Sequence, residues 1–145
     1  GEDTFNDQLY IKNRFNLRHI ITIKNNVNLC FNSLNEQIKA LSGFIGSSRE
    51  IKYGGVNSLR GYMDNQFRSD VVSIQTIEAH FQKSKSLRTL LFFDIGLSKD
   101  TTPKTGFGVG FFKLTNKALI ELEYAIPGKS SFLDGKIHVK WTSRL

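Results

Sequence analysis

The sequence predicts an all-β fold, and within that class an antiparallel transmembrane β-barrel of about eight strands. Three observations predict it. Apolar and polar side chains alternate in one segment after another. The chain has twelve Phe but only one Trp and one Met, which favours strands over a Leu-rich helical core. Its 145 residues allow one strand in about every 18 residues, enough for barrel strands of about 9–11 residues with their turns.

The strands are placed by this alternation, and together they make one domain over residues 1–145. The first has Phe15 and Leu17 on one face and Arg14 and Arg18 on the other. The third is ambiguous. The eight predicted segments are residues 9–18, 26–32, 39–45, 70–81, 88–97, 106–111, 118–124 and 136–141.

Alternation alone fits either a membrane barrel or a soluble β-sandwich. Two features favour the barrel. The polar face mixes charges with glycines, as a crowded or wet lumen requires, and aromatic side chains recur near strand ends, as in an interfacial girdle. The girdle candidates are Tyr10, Tyr53, Tyr62, Tyr124 and Trp141. A membrane-spanning helix is excluded, because the longest segment without Asp, Glu, Lys or Arg, residues 25–35, is too short for one.

No covalent chemistry is predicted. The single cysteine, Cys30, excludes an intrachain disulfide and a multi-cysteine zinc site. The three histidines lack metal-ligand spacing, and the sequence has neither a nucleophile elbow nor a nucleotide-binding loop. We therefore expect no catalytic residue, no metal and no cofactor. The net charge of +7 allows an anionic membrane surface, a nucleic acid or an acidic substrate as a partner.

The most specific segment is Gly-Gly-Val-Asn-Ser-Leu-Arg-Gly-Tyr at residues 54–62. Its glycines permit unusual backbone angles, and Arg60 offers a planar head with five donors that can bind a carboxylate through two hydrogen bonds. Asp94 stands on the polar face of an apolar strand, in Phe-Phe-Asp-Ile-Gly, and Glu78 lies in the strand before it. A buried carboxylate is costly unless it is paired, so Arg60 is the expected partner of Asp94.

These segments resemble the BamA/TamA-type outer-membrane assembly factors, the bacterial surface antigen family, whose relatives include the two-partner-secretion transporters. The resemblance extends over nearly the whole chain and corresponds to the C-terminal half of a family barrel. It implies that the Arg-Gly-Tyr tip folds back into the lumen, where its arginine meets the aspartate of Phe-x-Asp-x-Gly and a glutamate of the intervening strand. Carried over residue by residue, the loop-holding residues and motif glycines are Arg60, Gly61, Tyr62, Asp94, Glu78, Gly54, Gly55 and Gly96.

The place of Glu78 in this set conflicts with the alternation of its own segment. If Glu78 faces the lumen, Val72 and Ile74 face it too, because side chains two apart share a face of a strand. Ser73 and Gln75 then face the lipid. The sequence alone gives no reason for apolar side chains inside and polar ones outside at this strand.

The resemblance implies a barrel of the bacterial outer membrane that inserts or exports β-rich client proteins and is not an enzyme. Its expected partners are outer-membrane lipid, client or secreted proteins and, in a homodimer, a second copy. Nucleic acid is not expected, because the basic face also carries Asp94, Glu121 and Glu123. Two alternatives stay open: the barrel anchor of a larger patatin-like lipid hydrolase, and a soluble basic β-domain that binds nucleic acid.

The predicted strands fit half of a larger barrel, a small closed barrel or one chain of a dimeric barrel. In lipid, each exposed polar group of an open sheet edge costs several kcal/mol. We therefore expect both edges of the sheet to be paired.

Overall fold

The computed structural model describes residues 9–43, 45–99 and 101–143 of the chain. Within these ranges it is built of β-strands and one short 3-10 turn, so the predicted all-β fold is confirmed. The elements are β1 (Tyr10–Lys24), β2 (Val27–Ala40), β3 (Ile51–Tyr53), β4 (Phe67–Ser69), β5 (Val71–Ser84), β6 (Leu87–Ser98), β7 (Lys104–Leu114), β8 (Ala118–Pro127), the 3-10 turn Phe132–Asp134, and β9 (Lys136–Ser143). No helix among the described residues is long and apolar enough to cross a membrane.

Seven of these strands form one antiparallel sheet in the order β1-β2-β5-β6-β7-β8-β9. The other two, β3 and β4, pair with each other as a separate hairpin. This hairpin follows β2 and precedes β5 along the chain, whereas β2 and β5 pair directly with each other in the sheet. Short turns join β1 to β2, β5 to β6 and β7 to β8. Because neighbouring strands are antiparallel, these three turns lie at the same end of the sheet, which we call the tight-turn end. The longer connections lie at the opposite end, the loop end.

The sheet is open in this single chain, so the expectation that both of its edges are paired is not met within the chain. Its edge strands are β1 and β9, which do not pair with each other within the described ranges. The prediction of a small closed barrel is therefore wrong. Closure would have to match two unequal edges, since β1 has 15 residues and β9 has 8. Half of a larger barrel and one chain of a dimeric barrel remain predictions.

The strand predicted near residues 39–45 is also wrong. Lys39 and Ala40 are the last residues of β2, which stays paired with β1 as far as the Tyr10–Ala40 pair. The chain bends at residues 41–43, and residue 44 lies outside the described residues. The main sheet consequently has seven strands, and its first two are longer than the alternation indicated.

The β3–β4 hairpin and its loop cover one face of the sheet, which we call the loop face; the opposite side is the outer face. Beneath the hairpin lies an apolar cluster that includes Leu59, Val72 and Ile74. This cluster explains why Val72 and Ile74 of β5 lie on the same face as Glu78. These apolar side chains point inward because the hairpin buries them. Tyr53 is also buried here, and Tyr62 packs against the cluster, so the prediction that these two tyrosines belong to an interfacial girdle is wrong.

The outer face carries exposed apolar side chains at the positions that the alternation predicted. They follow one another across neighbouring strands, so that Leu91, Val109 and Tyr124 form one row. Their exposed members in the last four strands of the sheet are Leu91, Phe93, Leu97, Phe107, Val109, Phe111, Leu122, Ile137, Val139 and Trp141. Toward the loop end, the outer face of β2 and β5 is polar instead, and Ser73 hydrogen-bonds to Asn35 there.

Candidate functional site

The loop between β3 and β4, residues 54–66, lies on the loop face of the sheet. Gly54 and Gly55 begin it with φ angles of 110° and 93°, which glycine adopts without strain. The Gly54 N–H donates to the hydroxyl of Ser58 at 2.8 Å, and the Gly55 N–H donates to the carbonyl of Leu59 at 3.0 Å. These bonds close a compact turn that directs Leu59 and the following Arg60 at the sheet.

Gly61 lets the loop lie directly against the end of β8. Its φ is 91°, a region that side chains with a Cβ rarely adopt. A Cβ here would also stand 2.8 Å from the nitrogen of Pro127 and 2.9 Å from the carbonyl carbon of Ile126. The Arg-Gly-Tyr tip therefore needs glycine at its centre for both reasons.

Two glycines of the sheet make room for the loop from the other side. At Gly96 a Cβ would lie 2.9 Å from the Leu59 side chain, which is fully buried. At Gly106 a Cβ would overlap the carbonyl oxygen of Arg60. Glycine on the loop face of β6 and β7 thus allows the loop backbone to touch the sheet.

Arg60 and Asp94 form a buried, two-pronged ion pair. The guanidinium donates from Nε to Oδ2 at 2.8 Å and from Nη2 to Oδ1 at 2.7 Å. The backbone N–H of Arg60 also donates to Oδ2 at 3.1 Å. Arg60 is 6% exposed and Asp94 is 0% exposed. Three donors of one residue thus converge on a single carboxylate, which fixes both the side chain and the backbone of the loop tip.

Two further carboxylates share the remaining guanidinium nitrogen, Nη1 of Arg60. Glu78 accepts from it at 2.8 Å, and Glu123 accepts at a longer 3.4 Å. The second oxygen of Glu78 lies 2.7 Å from Nε2 of His80. The guanidinium carbon stands 3.5 Å from the centre of the Phe92 ring, in a cation–π contact. Strands β5, β6 and β8 therefore all contribute side chains to the binding site of the Arg60 guanidinium, which we call the Arg60 seat.

The electrostatics of this seat favour the charged arginine. Burial opposes the charge, but the hydrogen bonds and charge of Asp94, with the charges of Glu78 and Glu123, outweigh it and raise the pKa of Arg60 above its usual value. The hydroxyl of Thr76 donates to Oδ1 of Asp94 at 2.9 Å, so both carboxylate oxygens are satisfied. Arg60 consequently stays protonated at any working pH.

Tyr62 fixes the far side of the Arg-Gly-Tyr tip. Its hydroxyl donates to the backbone carbonyl of Thr105 at 3.1 Å, and its ring meets the ring of Phe67 edge-on, with centres 5.0 Å apart. Burial raises the pKa of the Tyr62 phenol, so it stays a hydrogen-bond donor at neutral pH. The loop tip is thus attached to β7 as well as to β6.

All eight residues singled out in the sequence lie in or against this loop. Arg60, Asp94 and Glu78 are in direct contact, Gly61 and Tyr62 flank the arginine, and the three motif glycines shape the loop or its seat. Sequence reasoning missed Glu123, His80, Thr76 and Phe92. The signal for Glu123 was present, because alternation already places it on the polar face of its strand. Phe92 gave no such signal, since an aromatic residue on that face suggested no charged partner.

Beside the arginine seat, a polar cavity of about 290 Å³ lies between the loop and strands β8 and β9. Its lining includes Asp64 from the loop and Glu123 and His138, which face each other across the two strands. Oε2 of Glu123 and Nε2 of His138 are buried, and neither has a hydrogen-bond partner among the described residues. The cavity is large enough for several water molecules, which suit such polar walls.

No group of three or more His, Cys, Asp or Glu side chains in the described part of the chain is arranged to hold a metal ion. Cys30 is a buried free thiol on the loop face, and its sulfur accepts a hydrogen bond from Nε of Arg18 at 3.2 Å. The contacts around Arg60 together hold the loop between β3 and β4 in place on the sheet.

The chain matches no protein-family model and no curated protein sequence at a significant level.

Proposed function

We propose that this chain is the C-terminal half of a BamA/TamA-type outer-membrane barrel that inserts or translocates β-rich client proteins in bacteria. The observation that carries the proposal is the seat of Arg60. The arginine of an Arg-Gly-Tyr tip reaches across the sheet to the aspartate of Phe-x-Asp-x-Gly, 34 positions away, and to Glu78 on the intervening strand. This is the set of contacts that the family resemblance implies.

The outer face supports a location in lipid. Its apolar side chains form a band on β6, β7, β8 and β9, and a soluble monomer rarely exposes an apolar patch larger than a few hundred Å². Strands β6, β7 and β8 have 12, 11 and 10 residues, close to the roughly 9–11 that a tilted membrane strand needs. The upstream half of the barrel, or a second copy of the chain, closes the sheet.

The mechanism is physical and needs no cofactor. The unpaired backbone groups along the edges of β1 and β9 can hydrogen-bond to an incoming strand, as open sheet edges do. A client strand pairs with such an edge at the closing seam of the barrel. The loop that carries Arg60 stays fixed to the inner face of the sheet meanwhile. In a barrel that an upstream half completes, β1 pairs with that half, and β9, the last strand of the chain, supplies the edge at the closing seam.

Nucleic-acid binding, the soluble alternative, is disfavoured by where the basic side chains lie. On the loop face Lys12 and Arg14 both pair with Glu36, and Lys140 lies 3.8 Å from Glu121. These carboxylates would repel phosphate. A lipid-hydrolase anchor is compatible with the same barrel and differs only in the domain that it would carry.

The proposal is tested in two steps. First, the purified chain should need detergent or lipid to stay monodisperse, and a stable monomer in plain buffer contradicts the membrane barrel. Second, the chain is reconstituted in vesicles of bacterial lipid, and the insertion of an unfolded outer-membrane barrel protein is followed by its protection from protease.

Insertion should be faster than in empty vesicles, and Arg60→Ala should slow it more than Arg68→Ala. Arg68 is the matched control because it is an exposed arginine of the same hairpin, on β4. A rate equal to that of empty vesicles contradicts the assembly function, even if the chain inserts into the bilayer.

A further inference from the structure

The three turns at the tight-turn end of the sheet all carry lysine and no acidic residue. They are Lys24 to Val27, Ser84 to Leu87 and Leu114 to Ala118, with the residues that flank them. Five lysines lie in or beside these turns: Lys24, Lys83, Lys85, Lys113 and Lys117. All five are exposed, and none forms an ion pair with another residue in the described ranges. We call them the turn lysines.

The turn lysines border the apolar band of the outer face. One row of that band runs through Phe111, Leu122 and Val139 on β7, β8 and β9. The next row toward the turns is Lys113, Ile120 and Trp141. Trp141 is largely exposed on the outer face. A lysine and a tryptophan at the rim of an apolar band are the side chains found where hydrocarbon meets lipid headgroups.

The loop end has a different charge pattern, with acids among its bases. Lys99 pairs with Asp70 at 3.3 Å, and Arg49 is followed by Glu50. The long connection between β8 and β9 carries both Lys129 and Asp134. Only the tight-turn end is purely cationic among the described residues.

We propose that the tight-turn end binds the headgroups of an anionic phospholipid leaflet through the turn lysines. This inference rests on the proposed membrane location and adds to it which side chains contact the lipid headgroups. Each ammonium group can approach a phosphodiester while the neighbouring outer face stays in the acyl chains. The absence of acids from these turns removes both competition and repulsion.

The test measures how the intact chain partitions into vesicles of phosphatidylcholine, with and without phosphatidylglycerol, by flotation. A variant with Lys83→Gln, Lys85→Gln and Lys117→Gln removes three turn lysines. The matched control is Lys39→Gln, Lys52→Gln and Lys129→Gln, which removes the same charge from exposed lysines on the loop-end side. We expect phosphatidylglycerol to increase partitioning of the wild type and of the control. The turn variant should lose about 10- to 100-fold of that gain, since each lysine near an anionic surface contributes on the order of tenfold or less.

Raising the salt from about 0.1 M to about 0.5 M should remove most of the gain, because it shortens the screening length. Equal loss in the two variants overturns the inference, since net charge alone would then explain it. Equal partitioning of the wild type into both kinds of vesicle overturns it as well and leaves the membrane location standing. No partitioning into any vesicle overturns both proposals.

Discussion

Arg60 donates two parallel hydrogen bonds to the carboxylate of Asp94, which is completely buried, and so ties the loop of the β3–β4 hairpin to strand β6. Burying two charges costs several kcal/mol for each ion, and only close, complete pairing offsets the penalty. Here the backbone N–H of Arg60 and the hydroxyl of Thr76 complete the carboxylate's bonding. The loop position therefore depends on both partners being present.

The first prediction concerns this pair. Arg60→Ala or Asp94→Ala should each lower the free energy of unfolding by about 3–5 kcal/mol, because each leaves an unpaired buried charge. The double variant should cost clearly less than the sum of the two. Denaturant unfolding of the chain in detergent micelles measures all three. Arg68→Ala is the control and should change stability by about 0.5 kcal/mol or less, since Arg68 is exposed. Additive costs would show that the two residues act independently.

A second prediction separates the two glutamates around Arg60. Glu78 accepts from Arg60 at 2.8 Å and lies 2.7 Å from His80, so Glu78→Gln should cost about 1.5–3 kcal/mol. Glu123 is 7% exposed, has only a 3.4 Å contact and leaves one oxygen unpartnered among the described residues. Glu123→Gln also relieves repulsion among three carboxylates, so it should cost about 0.5 kcal/mol or less. Unfolding of the two variants, compared side by side, would contradict this ranking if Glu123→Gln were the more damaging.

How far the sequence anticipates the fold differs between the halves of the sheet. In β6 to β8 alternation places the side chains on the correct faces, because one face meets the loop and the other carries mainly apolar groups. In β2 and β5 the pattern reverses toward the loop end, where Leu34 and Ile74 face inward under the hairpin and polar residues such as Asn35 face outward. A period of two reveals which residues share a face but not what covers it.

The same limit explains the two errors in strand count and closure. Residues 39–45 alternate weakly, and only the pairing of β2 with β1 shows that the strand ends at Ala40. Closure depends on which edges meet, and no local pattern encodes that. The Arg60 seat was easier to foresee, because a lone aspartate in an apolar strand needs a cation, and the motif offered one.

The third prediction tests the contact between the loop and β7. A Cβ at residue 106 overlaps the carbonyl oxygen of Arg60, a backbone atom that cannot move without lifting the loop. Gly106→Ala should therefore cost about 3 kcal/mol, and it should speed tryptic cleavage after Arg60, which is otherwise buried. Gly110→Ala on the same strand and face is the control. There a Cβ meets only side-chain atoms, those of Leu90 at 3.0 Å and of Glu123 at 3.3 Å, which can adjust, so the cost should be about 1 kcal/mol and cleavage should not change. Equal cleavage rates in the two variants would mean that Gly106 does not hold the loop down.

The last prediction concerns whether the outer face of the sheet contacts water or lipid. Val109 is exposed on that face, in the middle of the apolar band. In water Val109→Lys should cost about 0.5 kcal/mol or less, as exposed substitutions usually do. In a bilayer the same change should cost about 2–4 kcal/mol if residue 109 lies near the midplane.

Gln37→Lys is the control, because Gln37 is exposed on the same face but outside the band, beside Asn13 and Val71. Phe92 cannot serve as the control, since Arg60 lies over its ring and would repel a second cation. Folding of both variants into vesicles, titrated with urea, measures the difference. A cost for Val109→Lys that matches the cost for Gln37→Lys would place the band in water and contradict the membrane barrel.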